Sequence, residues 1–389
     1  MSTNDGVTLL LGTTKGAFLL VSDPARQDWS IKGPFCDLWP INHVIGDPGS
    51  DRLWAAGGSA WHGAGVWRSD DGGDTWSLAK FADGQIDEFR KANPELAATF
   101  GMADSPPGPY SGEIDSIWSL CLSHGTLYAG SRPAILFQSL DSGASWQKVG
   151  GLTEDPSAEG WNPGAAGLTL HTIVPHPDTG QKLWVGISAA GVFATEDGGA
   201  SWDRRNRRDN APGYTPSDHP ASGSDTEIGH CVHNIVRAGG DGDLLYQQNH
   251  HGVFRSNDGA RTWQNVTDGL PSTFGFPIAV HPHDPRTVWT LPLNGDSSGR
   301  FPPDASAAVW RSRDGGGTWT AMRTGLPQKT CFFTVLRQAM ATDGCTRPGV
   351  YFGTNSGTVF ASIDEGATWS DIARHLPTVL SVETVNRAL

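Results

Sequence analysis

The segment Ser69-Asp70-Asp71-Gly72-Gly73-Asp74-Thr75-Trp76 opens a pattern that returns five more times along the 389 residues. The later copies are SLDSGASW from Ser139, TEDGGASW from Thr195, SNDGARTW from Ser256, SRDGGGTW from Ser312 and SIDEGATW from Ser362. Successive copies begin 50 to 70 residues apart. A spacing of this size is typical of an array of supersecondary units, so the sequence predicts a repeat protein.

Each copy has the chemistry of a tight hairpin turn. Its third residue is an aspartate, whose carboxylate can accept hydrogen bonds from backbone N–H groups later in the turn. These structural aspartates are Asp71, Asp141, Asp197, Asp258, Asp314 and Asp364. A glycine two positions later suits a positive φ, and only the fourth copy differs, with Ala260 in that place. The tryptophan that ends each copy starts the next strand, where its ring can pack between neighbouring sheets.

The pattern S/T-x-D-x-G-x-T/S-W resembles the Asp-box, or bacterial neuraminidase repeat. That motif occurs in β-propellers such as sialidases, some endoglucanases, sortilin-type receptors and a photosystem assembly factor. The resemblance implies a propeller fold, but it implies no activity, because the box is a turn on the face away from the usual site. The sequence has no Arg-Ile-Pro segment before the first copy, so its motifs are not those of a true sialidase.

The spacing of apolar runs around the copies predicts an all-β fold, a seven-bladed β-propeller formed by residues 1–389 as a single domain. The predicted blades lie near 7–33, 40–80, 114–150, 168–206, 230–268, 274–324 and 331–374. The first blade lacks an innermost strand, and the apolar segment 378–385 can supply it. We therefore expect the two ends of the chain to pair in one blade, which removes the exposed edges of an open array.

Charge and cysteine content restrict the classes of partner. The formal net charge of −13 argues against binding to a nucleic-acid backbone or an anionic membrane surface. The apolar run 7–11 is shorter than the core of a signal peptide, and five scattered cysteines fit reduced thiols. These features predict a cytoplasmic location, and they leave the oligomeric state open.

Four polar residues fall in one register when the innermost strands are aligned on their apolar pattern: His43, Asp115, His171 and His233. The last three each precede an aromatic residue of the next strand by 13 positions, whereas His43 precedes Trp54 by 11. Imidazole and carboxylate ligands suit a divalent metal, either zinc, manganese or iron. The alternative is that the histidines only satisfy hydrogen bonds in a wet channel.

A second ring is expected from the loops between second and third strands, which open on the same rim. Arg132 could hold an acidic group of a substrate, and His250 could transfer a proton. The remaining candidates for substrate contact are Trp61, His62, Glu113 and His251. A surface salt bridge for Arg132 and simple packing for Trp61 are the alternatives.

These rings lead to three hypotheses about function. The first is a metal-dependent hydrolase or lyase that acts on a small polar or carbohydrate-like substrate at the mouth of the channel, with a site similar to that of propeller-type oligouronide lyases. The second is a metal-free glycoside hydrolase with a carboxylate pair among Glu113, Asp115, Asp225 and Glu227. The third is a non-catalytic propeller that binds a protein. Cys231, two residues before His233, is a weaker candidate for thiol chemistry.

Overall fold

The computed structural model describes residues 6–102, 106–209, 222–224 and 226–389. It contains seven four-stranded antiparallel sheets, each of which is one blade of a β-propeller. The prediction of a seven-bladed propeller is confirmed. In chain order the strands are β1 (Thr8–Thr13), β2 (Gly16–Ser22), β3 (Trp29–Phe35), β4 (Ile41–Gly46), β5 (Leu53–Ser59), β6 (Gly63–Ser69), β7 (Ser77–Ala82), β8 (Ser116–Ser123), β9 (Thr126–Arg132), β10 (Leu136–Ser139), β11 (Gln147–Lys148), β12 (Thr169–Pro175), β13 (Leu183–Ser188), β14 (Gly191–Thr195), β15 (Asp203–Arg204), β16 (Val232–Arg237), β17 (Leu245–Asn249), β18 (Gly252–Ser256), β19 (Gln264–Asn265), β20 (Gly275–Val280), β21 (Val288–Pro292), β22 (Val309–Ser312), β23 (Thr320–Met322), β24 (Met340–Thr342), β25 (Val350–Gly353), β26 (Val359–Ser362), β27 (Ser370–Ala373) and β28 (Val379–Val385).

The two ends of the chain close the ring in blade 1, whose strand order is β28-β1-β2-β3. Strand β28 pairs antiparallel with β1, and the register places Thr8 opposite Val385 and Gly12 opposite Ser381. Blades 2 to 7 each contain four consecutive strands, from β4–β7 to β24–β27. The predicted closure by the two chain ends is therefore confirmed.

Helices are few among the described residues, and the α-helices lie in the connections between blades. The α-helices are α1 (Gln85–Ala92), α2 (Pro94–Thr99) and α3 (Gly150–Thr153). Four 3₁₀ turns lie at Cys36–Leu38, Pro156–Gly160, Asp296–Ser298 and Pro303–Ala305. In the part of the chain that the structure describes, no helix is both long and apolar enough to span a membrane.

The six aspartate turns join third and fourth strands and share one hydrogen-bond pattern. In the first turn, Asp71 Oδ1 accepts from the Thr75 backbone N–H at 2.9 Å and from the Ser69 hydroxyl at 2.8 Å, while Oδ2 accepts from the Thr75 hydroxyl at 2.5 Å. The bond from the Thr75 hydroxyl is the largest of the effects that lower the Asp71 pKa to about 2. Each carboxylate therefore fixes its turn in the ionised form.

Tryptophans in the second strands of blades 2, 4 and 6 connect each of these blades to the aspartate turn of the next. The indole Nε1 of Trp54 donates to Ser142 O at 2.9 Å, and that of Trp184 donates to Gly259 O at the same distance. Trp289 donates to Glu365 O at 3.1 Å. These indoles are almost completely buried, so they join neighbouring blades both by packing and by a hydrogen bond.

The two rims of the propeller follow from the antiparallel order of the strands. Connections between first and second strands and between third and fourth strands lie on one side, which we call the turn rim because it carries the aspartate turns. The starts of the innermost strands and the loops between second and third strands lie on the other side, which we call the pocket rim.

Candidate functional site

A cavity of about 590 Å³ opens on the pocket rim, where blades 4 to 7 meet. We call it the rim pocket. The ionisable side chains of its lining are His230, Cys231, His233, His250, Asp296, Arg300 and Arg337. A cavity of this size is in the usual range for a small-molecule site.

The centre of the rim pocket is a buried group of two imidazoles and a thiol. His233 Nδ1 donates to Gly275 O at 2.6 Å, which leaves Nε2 as an acceptor, 3.6 Å from Cys231 Sγ. The His250 ring lies edge-on to His233, with 5.3 Å between ring centroids. Burial, reinforced by the charge of Arg337, holds the His233 pKa well below its usual value, and burial raises the pKa of Cys231. At neutral pH His233 and Cys231 are therefore uncharged.

One wall of the rim pocket combines phenyl rings with positive charge. Phe274 packs edge-on against Phe276, with 5.1 Å between ring centroids. The guanidinium carbon of Arg337 lies 5.1 Å from the Phe276 centroid, and that of Arg300 lies 5.8 Å from it. The carboxylate of Asp296 is the acidic group of the lining, with Oδ2 3.8 Å from His250 Nε2.

The four residues predicted as metal ligands do not come together. His43 Nδ1 accepts from the Leu120 N–H at 2.9 Å, and its Nε2 faces Glu383 Oε1 at 3.1 Å. Asp115 accepts from Arg132 Nε at 2.8 Å on the surface of blade 3. His171 Nε2 donates to Val232 O at 2.9 Å. Of the four, only His233 lines the rim pocket.

The predicted alignment is wrong because turn lengths and β-bulges differ between blades. In blade 3 the aromatic Tyr128 pairs with Cys121, seven residues earlier, whereas in blade 4 Trp184 pairs with Val174, ten residues earlier. The equal spacing of 13 therefore joins positions that are not equivalent, and Asp115 lies before its strand. In blade 2 the bulge skips Asn42, whereas in blades 4 and 5 the skipped residues are His171 and His233. His43 is thus one position out of register, which turns it to a different side of the strand.

His43 and other polar side chains of the inner strands line a second cavity, of about 320 Å³, within the channel. Asn234 Nδ2 donates to Arg337 O at 2.8 Å, and Thr172 Oγ1 donates to Asn234 Oδ1 at 3.1 Å. These contacts, like those of His43 and His171, satisfy inner-strand groups within the protein. They favour the expectation of hydrogen-bonding histidines in a polar channel.

The second predicted ring is divided between two sides of the pocket rim. His250 lines the rim pocket. The ring of His251 packs against the ring of His250, with 4.7 Å between their centroids. Arg132 does not line the pocket and is held by Asp115, while its guanidinium carbon lies 5.5 Å from the Trp118 ring. On blade 2, Trp61 is 47% exposed, and His62 Nδ1 lies 3.1 Å from the Ser59 hydroxyl.

The predicted carboxylate pair is also divided. Glu113 forms an ion pair with Lys148, which leaves it on blade 3 beside Asp115. Asp225 lies outside the described residues. Glu227 Oε2 lies 3.0 Å from Nε2 of His230, and His230 lines the rim pocket. Of the three members that the structure describes, Glu227 is the one placed to act near the pocket.

Among the residues that the structure describes, one group of three side chains has the spacing of metal ligands: Cys231, His233 and His250, with ligand atoms within 4.8 Å of one another. Two guanidinium groups line the same cavity. The positive charge of the two guanidinium groups disfavours binding of a metal cation in the same cavity.

Three charged residues of the rim pocket were not predicted from the sequence. Arg337 stands alone as a charged residue in the run Cys331–Ala341, which is otherwise apolar or uncharged, and such an isolated arginine in a strand-like segment is a usable signal. Asp296 and Arg300 belong to the connection between β21 and β22, residues 293–308, which is far longer than the two residues between β17 and β18. The length of that loop is a second signal.

Comparison with known proteins places the chain near glycoside hydrolases. No protein-family model matches it. It is 27% identical over 331 residues to a xyloglucanase from Paenibacillus sp. The aligned region covers 77% of this chain and 28% of that protein. It is 25% identical over 324 residues to a xyloglucanase from Hypocrea jecorina (strain QM6a), covering 76% and 34%. The chain thus spans about a quarter to a third of the length of these relatives.

Solved structures with the same fold include enzymes and a peptide-binding protein. The GH74 xyloglucanase from Xanthomonas campestris superposes with a TM-score of 0.62 at 18% identity, covering 95% of this chain and 53% of that one. The GH74 enzyme from Niastella koreensis gives 0.60 at 15% identity, covering 96% and 56%. YCF48 bound to a D1 peptide gives 0.52 at 12%, covering 95% and 85%. At these identities the likeness establishes the propeller fold alone.

These findings overturn the first functional hypothesis. A metal-dependent hydrolase or lyase is wrong, because the curated relatives are xyloglucanases and because the four expected ligands are not assembled. The relatives favour the second hypothesis, a glycoside hydrolase. The relatives and solved structures named above include xyloglucanases, so they support a seven-bladed propeller with xyloglucanase-like neighbours.

Proposed function

We propose that the chain is a glycoside hydrolase, or the part of one, that binds a saccharide in the rim pocket and cleaves it without a metal. The observation that carries the proposal is a carboxyl group, Asp296, beside the buried imidazole of His250 and a phenyl wall, in a chain whose relatives are xyloglucanases. We further propose that the six aspartate turns place it within the Asp-box superfamily of propellers.

The chemistry needs two carboxyl groups on the two sides of a glycosidic bond. We assign Asp296 as the group that faces the substrate, because it lines the pocket and is 35% exposed. In the proposed step Asp296 transfers its proton to the leaving oxygen as the bond from that oxygen to the anomeric carbon breaks, while a water molecule adds to that carbon and transfers its own proton to the second carboxylate. Glu227, in contact with His230, is the second carboxylate of the proposal.

Aromatic surface accounts for sugar binding in this proposal. The faces of pyranose rings carry C–H groups that pack on phenyl rings, and Phe274 and Phe276 both line the pocket. The names of the relatives make xyloglucan oligosaccharides the first substrates to examine, followed by cello-oligosaccharides and other glucans.

The test is release of reducing ends from this panel in the presence of a chelator. We expect turnover that survives chelation, and a fall in kcat of at least about 100-fold in Asp296→Asn, because that variant cannot transfer the proton. Glu227→Gln should also lose activity. The matched control is Asp74→Asn, an exposed carboxylate on the turn rim, which should retain full activity.

Two results would contradict the proposal. Wild-type protein without turnover on any member of the panel would favour the remaining hypothesis, a propeller that binds a protein. Full activity of Asp296→Asn would move the reaction to another site. Elemental analysis of the same preparation checks whether Cys231, His233 and His250 hold a metal, which is a separate question from turnover.

A further inference from the structure

Arg337 is the least compensated charge in the rim pocket. Its Nε is buried and has no hydrogen-bond partner among the described residues. No carboxylate of residues 6–102, 106–209, 222–224 or 226–389 forms a salt bridge with it. A guanidinium stays charged at all relevant pH values, so one in a cavity carries a desolvation cost that no carboxylate within this part of the chain offsets.

Arg300 places a second positive charge on the same phenyl ring. Its guanidinium carbon is 5.8 Å from the Phe276 centroid, and that of Arg337 is 5.1 Å from it. Within the described ranges Arg300 likewise has no salt-bridge partner. Two like charges in one cavity repel each other, and their aromatic contacts compensate only part of that repulsion. A ligand that carries negative charge would relieve it.

The remaining groups of the pocket do not supply that charge. His233 is neutral because burial and Arg337 hold its pKa low, and Cys231 is an uncharged thiol. Asp296 is the carboxylate in the lining, and it lies nearest to His250, with 3.8 Å between Oδ2 and Nε2. Among the residues that the structure describes, the lining carries two guanidinium groups and one carboxyl group, which is a positive balance inside a protein of net charge −13.

We propose that the rim pocket binds the oxyanion of an acidic saccharide, either a carboxylate or a phosphate, between the guanidinium groups of Arg337 and Arg300. Planar guanidinium groups match both oxyanions through paired hydrogen bonds. The saccharide part of this inference rests on the proposed function, whereas the oxyanion part rests on the two arginines alone. The cavity of about 590 Å³ has room for one or two sugar rings beside Phe274 and Phe276.

Binding without turnover is the direct test, and it uses isothermal titration calorimetry at low salt with glucose, glucuronate, glucose 6-phosphate and inorganic phosphate. We expect one acidic sugar to bind at least about 10-fold more tightly than glucose, with an affinity that falls as salt is added. The glucuronate and glucose 6-phosphate arms decide between carboxylate and phosphate. Equal binding of glucose and both acidic sugars would overturn the inference.

Variants locate the oxyanion in the pocket. Arg300→Gln, at an exposed position, and Arg337→Gln should each weaken binding of the acidic sugar by at least about 10-fold and leave binding of the neutral sugar unchanged. Arg337→Lys retains the charge if the glutamine variant fails to fold. The control is Arg313→Gln, which removes an exposed guanidinium paired with Glu365 on the turn rim. Wild-type affinity in both Arg300→Gln and Arg337→Gln would overturn the inference.

The two proposals fail in different ways. Tight binding of an acidic sugar without hydrolysis of any glycoside would refute the proposed function and leave the oxyanion site intact. Hydrolysis of neutral glucans that is unaffected by Arg337→Gln or Arg300→Gln, without preference for acidic sugars, would refute the oxyanion site and leave the glycoside hydrolase.

Discussion

The two rims of this propeller differ in how strictly the blades repeat. On the turn rim, the six aspartates accept a serine or threonine hydroxyl at Oδ1 over distances of 2.7 to 2.8 Å in every copy. On the pocket rim, the loops between second and third strands range from two residues in blade 5 to the span 293–308 in blade 6. The repeated turns thus hold the ring of blades together, whereas the loops that differ between blades form the rim pocket.

Charge is distributed over the rims in the same manner. Carboxylates of the turn rim are satisfied within their own hairpins, as Asp71 is by Ser69 and Thr75. On the pocket rim, Arg337 and Arg300 have no acidic partner in the described part of the chain, and His233 is neutral in a buried site. The aspartates that close the turns are thus hydrogen-bonded within the fold, whereas the charge of Arg337 and Arg300 has no acidic partner in the described residues and is available to a ligand.

The largest expected effect compares a tryptophan on each rim. Trp184 is fully buried beside the next blade and donates a hydrogen bond to Gly259. Trp184→Ala should lower the free energy of unfolding by about 3–5 kcal/mol. Trp61 is 47% exposed on the pocket rim, so Trp61→Ala should lower the free energy of unfolding by less than about 0.5 kcal/mol. Urea unfolding of both variants measures the contrast, and similar losses would show that the turn rim does not dominate stability.

The rims should also lose stability in different ranges of pH. His171 and His233 are buried with pKa values well below 6.5, so the unfolded chain takes up their protons first and stability falls as pH drops below about 6.5. Each such histidine contributes a slope of up to about 1.4 kcal/mol per pH unit. Asp71, Asp141 and Asp197 have pKa values of about 2, so their contribution is lost only as pH falls from about 4 toward 2.

Unfolding free energies measured between pH 8 and pH 3 test this separation. Below about pH 6.5, His171→Gln should reduce the change in unfolding free energy per pH unit by the contribution of one histidine. This holds whatever the variant does to stability at pH 8. His375→Gln, at an exposed position, is the matched control. An unchanged slope in His171→Gln would mean that this imidazole has the same pKa in the folded and the unfolded state.

Sequence alone predicted the fold because its signals were local and repeated. A hairpin turn needs only the eight residues from Ser69 to Trp76, and closure needed only one unpaired apolar segment, 378–385. The site depended on register between distant strands, where one bulge at Asn42 and a shorter turn in blade 3 removed His43 and Asp115 from the ring. Neither feature has a sequence signature as strong as the turn.

The smallest expected effect tests how far the turns themselves are interchangeable. Ala260 has φ +67°, where the other five copies have glycine, and its side chain is completely buried. Ala260→Gly relieves a left-handed cost of about 1–2 kcal/mol, but it loses about 0.8 kcal/mol of methyl burial and adds about 0.4–1 kcal/mol of unfolded-state entropy. We therefore expect a net change below about 1 kcal/mol in urea unfolding. The reverse exchange, Gly199→Ala, should destabilise clearly, because its new Cβ would lie 2.5 Å from Val149 Cγ1 at φ +95°. A loss above about 2 kcal/mol in Ala260→Gly would instead show that the methyl group is part of the packing between blades 4 and 5.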